Sequence, residues 1–179
     1  MLKHFLTPDQ DIYVSSLDID RRYSYEYAGS SQNLIITPLT EKCHRSMLSA
    51  IWMHYAASPS GPAGTGKTET TKELAREFAN YCIVFNCSEG LDSITMGMFF
   101  KGLVICGAWS CFDEFNRIEV DTLAIISQQI LTLMMALKAQ KSSFEFEDLK
   151  ITLDPNFAVF CTMNPQYEGR SQLPDSLQN

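Results

Sequence analysis

The chain has 179 residues, 45% hydrophobic and 20% charged. Those are the proportions of a globular domain burying about 70% of the surface its unfolded chain exposes, not of a disordered or collagen-like chain. Its 14 basic and 21 acidic residues leave a net charge of −7, the wrong sign for wrapping nucleic acid or lying on an anionic membrane, so an anionic ligand must be met by local structure.

This length predicts one domain with an appendage and excludes a complete multidomain machine. Met1 to Leu6 carries one Lys and runs into Thr7-Pro8-Asp9, short of the apolar region a signal peptide needs, and no run is expected to reach the roughly 18 apolar residues of a membrane span. Of the six cysteines, Cys82/Cys87 and Cys106/Cys111 are five apart and none has zinc-site spacing. They are expected to sit reduced in the core, as in a cytosolic compartment.

Residues 1–22 show neither helical nor strand period and read as a ragged lead-in. Tyr23, Tyr25 and Tyr27 alternate as strand residues do, and Leu34 to Leu39 is extended into Pro38. Thr40 is expected to cap a helix running to Trp52 with Cys43, Met47, Leu48 and Ile51 on one face. Gly61 to Thr68 reads as loop. Thr70 to Tyr81 reads as an amphipathic helix burying Leu74, Ala75 and Phe78, its wet face supported by Glu73 with Arg76 and Lys72 with Glu69.

Cys82 to Asn86 is continuous and β-branched, which predicts a strand buried on both sides. Ile94 to Val104 reads as helix, Ala108 to Phe112 as a second buried strand, and Glu119 to Ala139 as a long helix. Leu123, Ile126, Ile130, Leu133 or Met134, and Leu137 form the stripe of that long helix, and the Met134-Met135 pair is expected to pack in the core. Phe144 to Glu147 and Leu149 to Leu153 alternate around Asp148 and predict a small hairpin, with Glu145, Glu147 and Asp148 on its wet face. Phe157 to Thr162 is a third apolar strand. Strands alternating with helices give an α/β fold with a mostly parallel sheet.

Three strand or loop ends carry chemistry. Gly61-Pro62-Ala63-Gly64-Thr65-Gly66-Lys67-Thr68 has the full spacing of a phosphate-binding loop and opens into a helix. Glycines let backbone N–H groups curl toward phosphate oxygens and the helix N-terminus adds positive potential. Lys67 reaches the outer phosphates, and Thr68 offers its hydroxyl to Mg²⁺. Asp113-Glu114 ends an apolar strand at the sheet edge where ligands sit in open α/β folds; Asp113 suits the metal side and Glu114 the attacking water. Asn164, just after the third strand, suits the γ-phosphate or that water, although Asn-Pro also starts turns. His4, His44 and His54 are isolated and read as surface or core residues.

At these elements the chain resembles AAA+ ATPases, and more narrowly the first, hydrolytic module of dynein heavy chains. The resemblance rests on Gly61 to Thr70, Val84-Phe85-Asn86-Cys87, Gly107-Ala108-Trp109, Cys111 to Arg117 and Thr162-Met163-Asn164-Pro165, and it runs from about Tyr23 to the C-terminus. Ile36-Thr37-Pro38-Leu39-Thr40 and Leu173-Pro174-Asp175 fit the same module. It implies a P-loop NTPase of AAA+ type, with residues 23–179 as the large nucleotide-binding subdomain cut before a helical lid.

The resemblance further implies that ATP or ADP is held by Gly61 to Glu69, with Ile36, Thr37, Pro38 and Leu39 beside the adenine. Thr68 and Asp113 would be on the Mg²⁺ side, and Lys67, Glu114 and Asn164 would be catalytic. The Phe144 to Leu153 hairpin resembles an insertion that meets the mechanical linker. The implied partners are neighbouring AAA+ modules and the linker of the same heavy chain, the intermediate, light intermediate and light chains, and microtubules, in the cytoplasm, the cytoskeleton or a ciliary axoneme. Two stretches depart from the family: Asn164-Pro165-Gln166-Tyr167-Glu168-Gly169-Arg170 replaces Asn-Pro-Gly-Tyr-Ala-Gly-Arg, and Tyr55 to Pro59 lacks a glycine pair. The alternative readings are a nucleotide-holding regulatory module with little turnover, because the lid and an arginine finger lie outside this piece, and a P-loop kinase, which Asp113-Glu114 with Asn164 suits less well.

Overall fold

The structure is a computed structural model that describes residues 2–16, 19–27, 29, 34–87 and 91–164. Of the expected elements, Pro165 to Arg170 and Leu173 to Asp175 lie outside the described residues.

The lead-in is not ragged. Strands β1 (Lys3–Leu6), β2 (Ile12–Ser16) and β3 (Ile19–Arg22) form an antiparallel sheet. Its register pairs Phe5 with Tyr13 and Val14 with Arg21. Val14 is fully buried and joins the core, while all four residues of β1 are exposed. The chain then crosses to the end of the next helix pair, with Ser24 N–H donating to Phe78 O at 3.0 Å and Glu26 N–H to Ala79 O at 2.9 Å. Tyr23, Tyr25 and Tyr27 are consequently not strand residues. Tyr25 has φ +60°, its ring stands edge-on to Tyr23 at 5.1 Å, and Tyr27 is exposed.

Helix α1 (Pro38–Trp52) is capped three residues earlier than expected, at Thr37 rather than Thr40. Thr37, held extended before Pro38, is the N-cap; Thr40 N–H donates to Thr37 Oγ1 at 3.3 Å, and Thr37 N–H donates to Thr40 Oγ1 at 2.7 Å. Both threonines thus serve the cap, in a reciprocal box that satisfies two otherwise orphaned N–H groups. Helix α2 (Lys67–Glu77) also starts earlier than expected, inside the phosphate-loop motif. Its ion pairs Lys72–Glu69 and Arg76–Glu73 form at 2.8 and 2.5 Å, but Glu73 is buried rather than on the wet face.

Strands β4 (Cys82–Asn86), β5 (Trp109–Asp113) and β8 (Ala158–Cys161) make a parallel sheet in the order β4-β5-β8. Ala57 and Ser60 bridge in parallel to Phe160 and Met163 on the far side of β8. Four bonds fix that alignment, from Ala57 N–H to Val159 O, Cys161 N–H to Ala57 O, Met163 N–H to Pro59 O and Gly61 N–H to Met163 O, at 2.9–3.2 Å. The segment 57–60 therefore runs along the sheet and delivers the chain to Gly61 at the same edge where β5 and β8 end. Among the described strands β4 is an edge, which leaves Val84 exposed and Ile83 and Phe85 half-buried, so the expected two-sided burial holds for β5 and not for β4.

Period-two alternation sorts the core onto both faces. Trp109 and Cys111 of β5 and Ala158 and Phe160 of β8 pack with Met47, Leu48, Leu74 and Phe78 from α1 and α2. Phe112, Val159 and Cys161 pack on the other face, against α3 (Ser93–Cys106), α4 (Val120–Lys138) and the hairpin of β6 (Ser143–Phe146) and β7 (Leu149–Thr152). Phe112 lies among Phe85, Phe100 and Phe115, with ring centroids 5.2–6.2 Å apart.

Helix α4 corrects two expectations. By length and composition it is apolar enough to cross a membrane, yet Leu123, Ile126, Ile130, Leu133, Met134 and Leu137 are buried against the sheet, as in the core helix of a globular domain. Met135, expected in the core, points outward and is 63% exposed.

The hairpin turns on Glu147 and Asp148, both at positive φ, the backbone that a two-residue turn needs to match strand twist. Glu147 is not simply wet. Its carboxylate takes Lys101 at 2.9 Å and Gln129 Nε2 at 2.5 Å, and it lies so close over Gly97 that a Cβ there would collide with it. The hairpin is thereby tied to α3 and α4.

All six cysteines are free thiols; Cys87, Cys111 and Cys161 are buried, Cys43 and Cys82 half-buried, and Cys106, against expectation, exposed. Burial pushes the Cys87 thiol up to about 12, with the Asp113 and Glu114 carboxylates adding to it, and burial raises Cys111 and Cys161 as well. Since the thiolate is the reactive form, an alkylating reagent at pH 8 is expected to modify Cys106 in the folded chain. Cys87, Cys111 and Cys161 should react only after denaturation. Peptide mass mapping checks this, and rapid native labelling of Cys111 would contradict the packing.

Candidate functional site

The phosphate-loop residues curl around their own lysine. Gly64 and Gly66 adopt φ of +75° and +76°, left-handed conformations that cost an L side chain about 1–2 kcal/mol. Lys67 Nζ donates to Gly61 O at 2.9 Å and Pro62 O at 2.7 Å, and Thr65 Oγ1 donates to Pro62 O at 2.9 Å. Gly66 is the N-cap of α2 without a side-chain partner, so the first N–H groups of that helix face the loop, an arrangement suited to anions.

The carboxylates come from β5. Asp113 Oδ1 accepts two hydroxyl hydrogen bonds, from Thr68 Oγ1 of α2 and Thr162 Oγ1 after β8, both at 2.6 Å. Thr162 is fully buried, and its hydroxyl oxygen also accepts from Glu114 N–H at 3.0 Å. Glu114 has left-handed φ and ψ of 55° and 43°, and it caps a 3₁₀ turn over Phe115–Arg117. That strained backbone is held from two sides, by the Thr162 hydroxyl and by Phe115 N–H donating to Thr162 O at 3.0 Å. The Glu114 carboxylate accepts from Asn164 Nδ2 at 3.0 Å through Oε1 and pairs with Arg117 Nη1 at 2.8 Å through Oε2.

A cavity of about 360 Å³ collects these ends, lined by Ala63, Gly64, Gly66, Lys67, Thr68, Glu69, Asp113, Glu114 and Asn164. Three separately placed motifs thus meet at one sheet edge. Asn164 is 4% exposed, and its Oδ1 is buried with no hydrogen-bond partner among the described residues, an acceptor beside the cavity.

The segment expected near an adenine is split. Leu39 lines a second cavity of about 430 Å³ between α1 and residues 56–59, with Cys43, Met47, Ala57 and Pro59. Ile36 instead lines a separate cavity with Leu2 and His44, and Thr37 and Pro38 are occupied as cap and first residue of α1.

Three residues in the network had no expected role, although they stand within the stretches that carry the family resemblance. Thr162 looks like one more β-branched strand residue, Arg117 like solvated loop, and Asn116 like its neighbour; yet Asn116 is buried and donates to Asn164 O at 3.2 Å. Only their positions, three after Asp113 or Glu114 and two before Asn164, offered a signal. Of the histidines, His4 bonds Glu77 O on the surface, whereas His44 is buried between α1 and α2, where desolvation lowers its pKa against the pull of Thr70 O and the nearby glutamates.

Comparison with known proteins places this geometry. The family described as "Hydrolytic ATP binding site of dynein motor region" matches residues 23–179. Dynein axonemal heavy chain 3 of Mus musculus is 50% identical over 177 residues, 99% of this chain and 4% of the relative's length. Dynein-1-alpha heavy chain of the flagellar inner arm I1 complex of Chlamydomonas reinhardtii is 52% identical over 157 residues, 88% of this chain and 3% of that one. A solved structure of a putative ATPase from Cytophaga hutchinsonii shares the fold, with a TM-score of 0.54 at 18% identity, covering 80% of this chain and 44% of that one. This chain spans about a twenty-fifth of the length of the curated relatives it matches. A phosphate loop, a paired Asp113-Glu114 and an Asn164 converging on one cavity, within a sequence half identical to axonemal heavy chains, carry one conclusion: the chain belongs to the dynein heavy-chain family, as its hydrolytic ATP-binding region.

Proposed function

We propose that this region binds ATP with its phosphates over residues 61–69 and hydrolyses it with Glu114 as general base. The observation that carries the reading is the continuous chain of hydrogen bonds Thr68–Asp113–Thr162–Glu114–Asn164 along one cavity wall. In this reading Lys67 exchanges the Gly61 and Pro62 carbonyls for outer phosphate oxygens, and the N–H groups at the start of α2 take the rest of that charge. Leu39 and the groove along residues 56–59 hold the base; Ile36, Thr37 and Pro38 act only by setting α1.

The chemistry is displacement at the γ-phosphorus. A water oxygen forms a bond to phosphorus as the bond to the β,γ-bridging oxygen breaks, ADP leaves with that electron pair, and the water's proton passes to the Glu114 carboxylate. Asn164 sits where its Oδ1 can accept from the same water while Nδ2 holds Glu114. Thr68 and Asp113 are hard oxygen donors meeting at 2.6 Å, the donor set that suits Mg²⁺ shared with phosphate oxygens and waters. When bound there, the ion neutralises charge developing on the phosphates. Among the described residues no group of three or more His, Cys, Asp or Glu side chains could hold a metal ion by itself, so such an ion would depend on the nucleotide for much of its shell.

At the scale of the whole heavy chain, we propose an axonemal motor. Curated relatives named as axonemal or flagellar dynein heavy chains match at 48–54% identity. Turnover at this site would drive movement along microtubules in a ciliary or flagellar axoneme. Partners would be the other AAA+ modules and linker of the same chain and the intermediate, light intermediate and light chains.

Two substitutions test the site. Lys67→Ala removes charge-assisted bonds worth about 1.5–3 kcal/mol, so ATP affinity by calorimetry is expected to fall about 10- to 100-fold; unchanged affinity would sink the phosphate-loop assignment. Glu114→Gln in the heavy chain is expected to keep ATP binding while lowering turnover about 10²- to 10⁴-fold, measured as phosphate release. Turnover at the parent rate would remove Glu114 from the chemistry.

A further inference from the structure

Resting on the reading of Glu114 as the base, we infer that Arg117 is a positioning residue that aims the Glu114 carboxylate into the cavity from behind. Arg117 does not line the cavity, whereas Glu114 and Asn164 do. It stands at the end of the 3₁₀ turn that Glu114 itself caps, and the i to i+3 geometry of that turn brings the guanidinium back over Oε2 at 2.8 Å. Asn164 holds Oε1 at 3.0 Å from the opposite strand end. The carboxylate is thus gripped on both oxygens by groups from different elements.

An ionised carboxylate offers about four acceptor positions, so it can accept from a water while both grips are kept. Without Arg117, Oε2 loses its ion pair, and of the two grips only that of Asn164 on Oε1 remains. The strain at residue 114 is stored in the same turn that supplies Arg117, and a base displaced by about 1 Å costs on the order of 10²-fold in rate. Among the described residues the guanidinium bonds Glu114 and neither the phosphate loop nor Asp113, so its loss acts on the chemical step and spares nucleotide affinity.

The test is steady-state ATP turnover and ATP binding by the full heavy chain carrying Arg117→Ala, Arg117→Lys, Glu114→Gln, or Arg117→Ala with Glu114→Gln. Expected are a kcat about 10- to 100-fold lower for Arg117→Ala with ATP affinity unchanged, most of the rate restored by Arg117→Lys, and no further loss when Arg117→Ala is added to Glu114→Gln. An unchanged kcat, a parallel loss of rate and affinity, no rescue by lysine, or an additional loss on top of Glu114→Gln would each overturn the proposal. If Glu114→Gln itself turns over at the parent rate, the underlying reading fails; if it is silenced while Arg117→Ala is not, only the role of Arg117 fails.

Discussion

A single oxygen, Oδ1 of Asp113, accepts from two hydroxyls that belong to different parts of the chain, Thr68 at the start of α2 and Thr162 at the end of β8. Charge-assisted bonds of this length are roughly twice as strong as neutral ones, and here they tie three elements together beside the cavity. Thr162 then passes the constraint on, because the oxygen that donates to Asp113 also accepts from Glu114 N–H. The Asp113 and Glu114 carboxylates, adjacent in sequence, are in this way held in different directions by one threonine.

The rest of the fold brings these groups into range. The parallel sheet places the ends of β5 and β8 and the segment 57–60 at one edge, which is where ligands bind in open α/β sheets. Trp109, Phe112 and Phe160, all fully buried, fix the sheet between two helical layers. The hairpin is tied at Glu147 to Lys101 and Gln129, which gives an outlying insertion a rigid connection to α3 and α4. A surface ion pair of this kind contributes little energy, about 0–1 kcal/mol, but with the close approach at Gly97 it specifies one position.

Much of this was readable in the sequence because it is written locally. The phosphate loop is a spacing of glycines, Asp113-Glu114 ends an apolar run, and the stripe of α4 repeats at helical period. What the sequence hid depends on partners distant along the chain. The burial of β4 follows from which strand lies beside it, not from Ile83-Val84-Phe85. β1 is exposed at all four positions and so shows no alternation to find. Thr40 alone was expected to cap α1, and only the geometry shows Thr37 as the N-cap with Thr40 as its reciprocal partner. Thr162 and Arg117 are ordinary by type and acquire their roles from a bond to a residue some fifty positions away and from a turn whose start is left-handed. Residue type located the carboxylates; three-dimensional register revealed what aims them.

Thr162 couples the two carboxylates, and an isosteric change that deletes its hydroxyl isolates that coupling. Phosphate release and ATP affinity measured on the heavy chain carrying Thr162→Val, with Thr162→Ser as the control that keeps the hydroxyl, decide it. Turnover is expected to be about 10- to 100-fold lower in Thr162→Val with ATP still bound, and near the parent rate in Thr162→Ser. Parent-level turnover in Thr162→Val would contradict it.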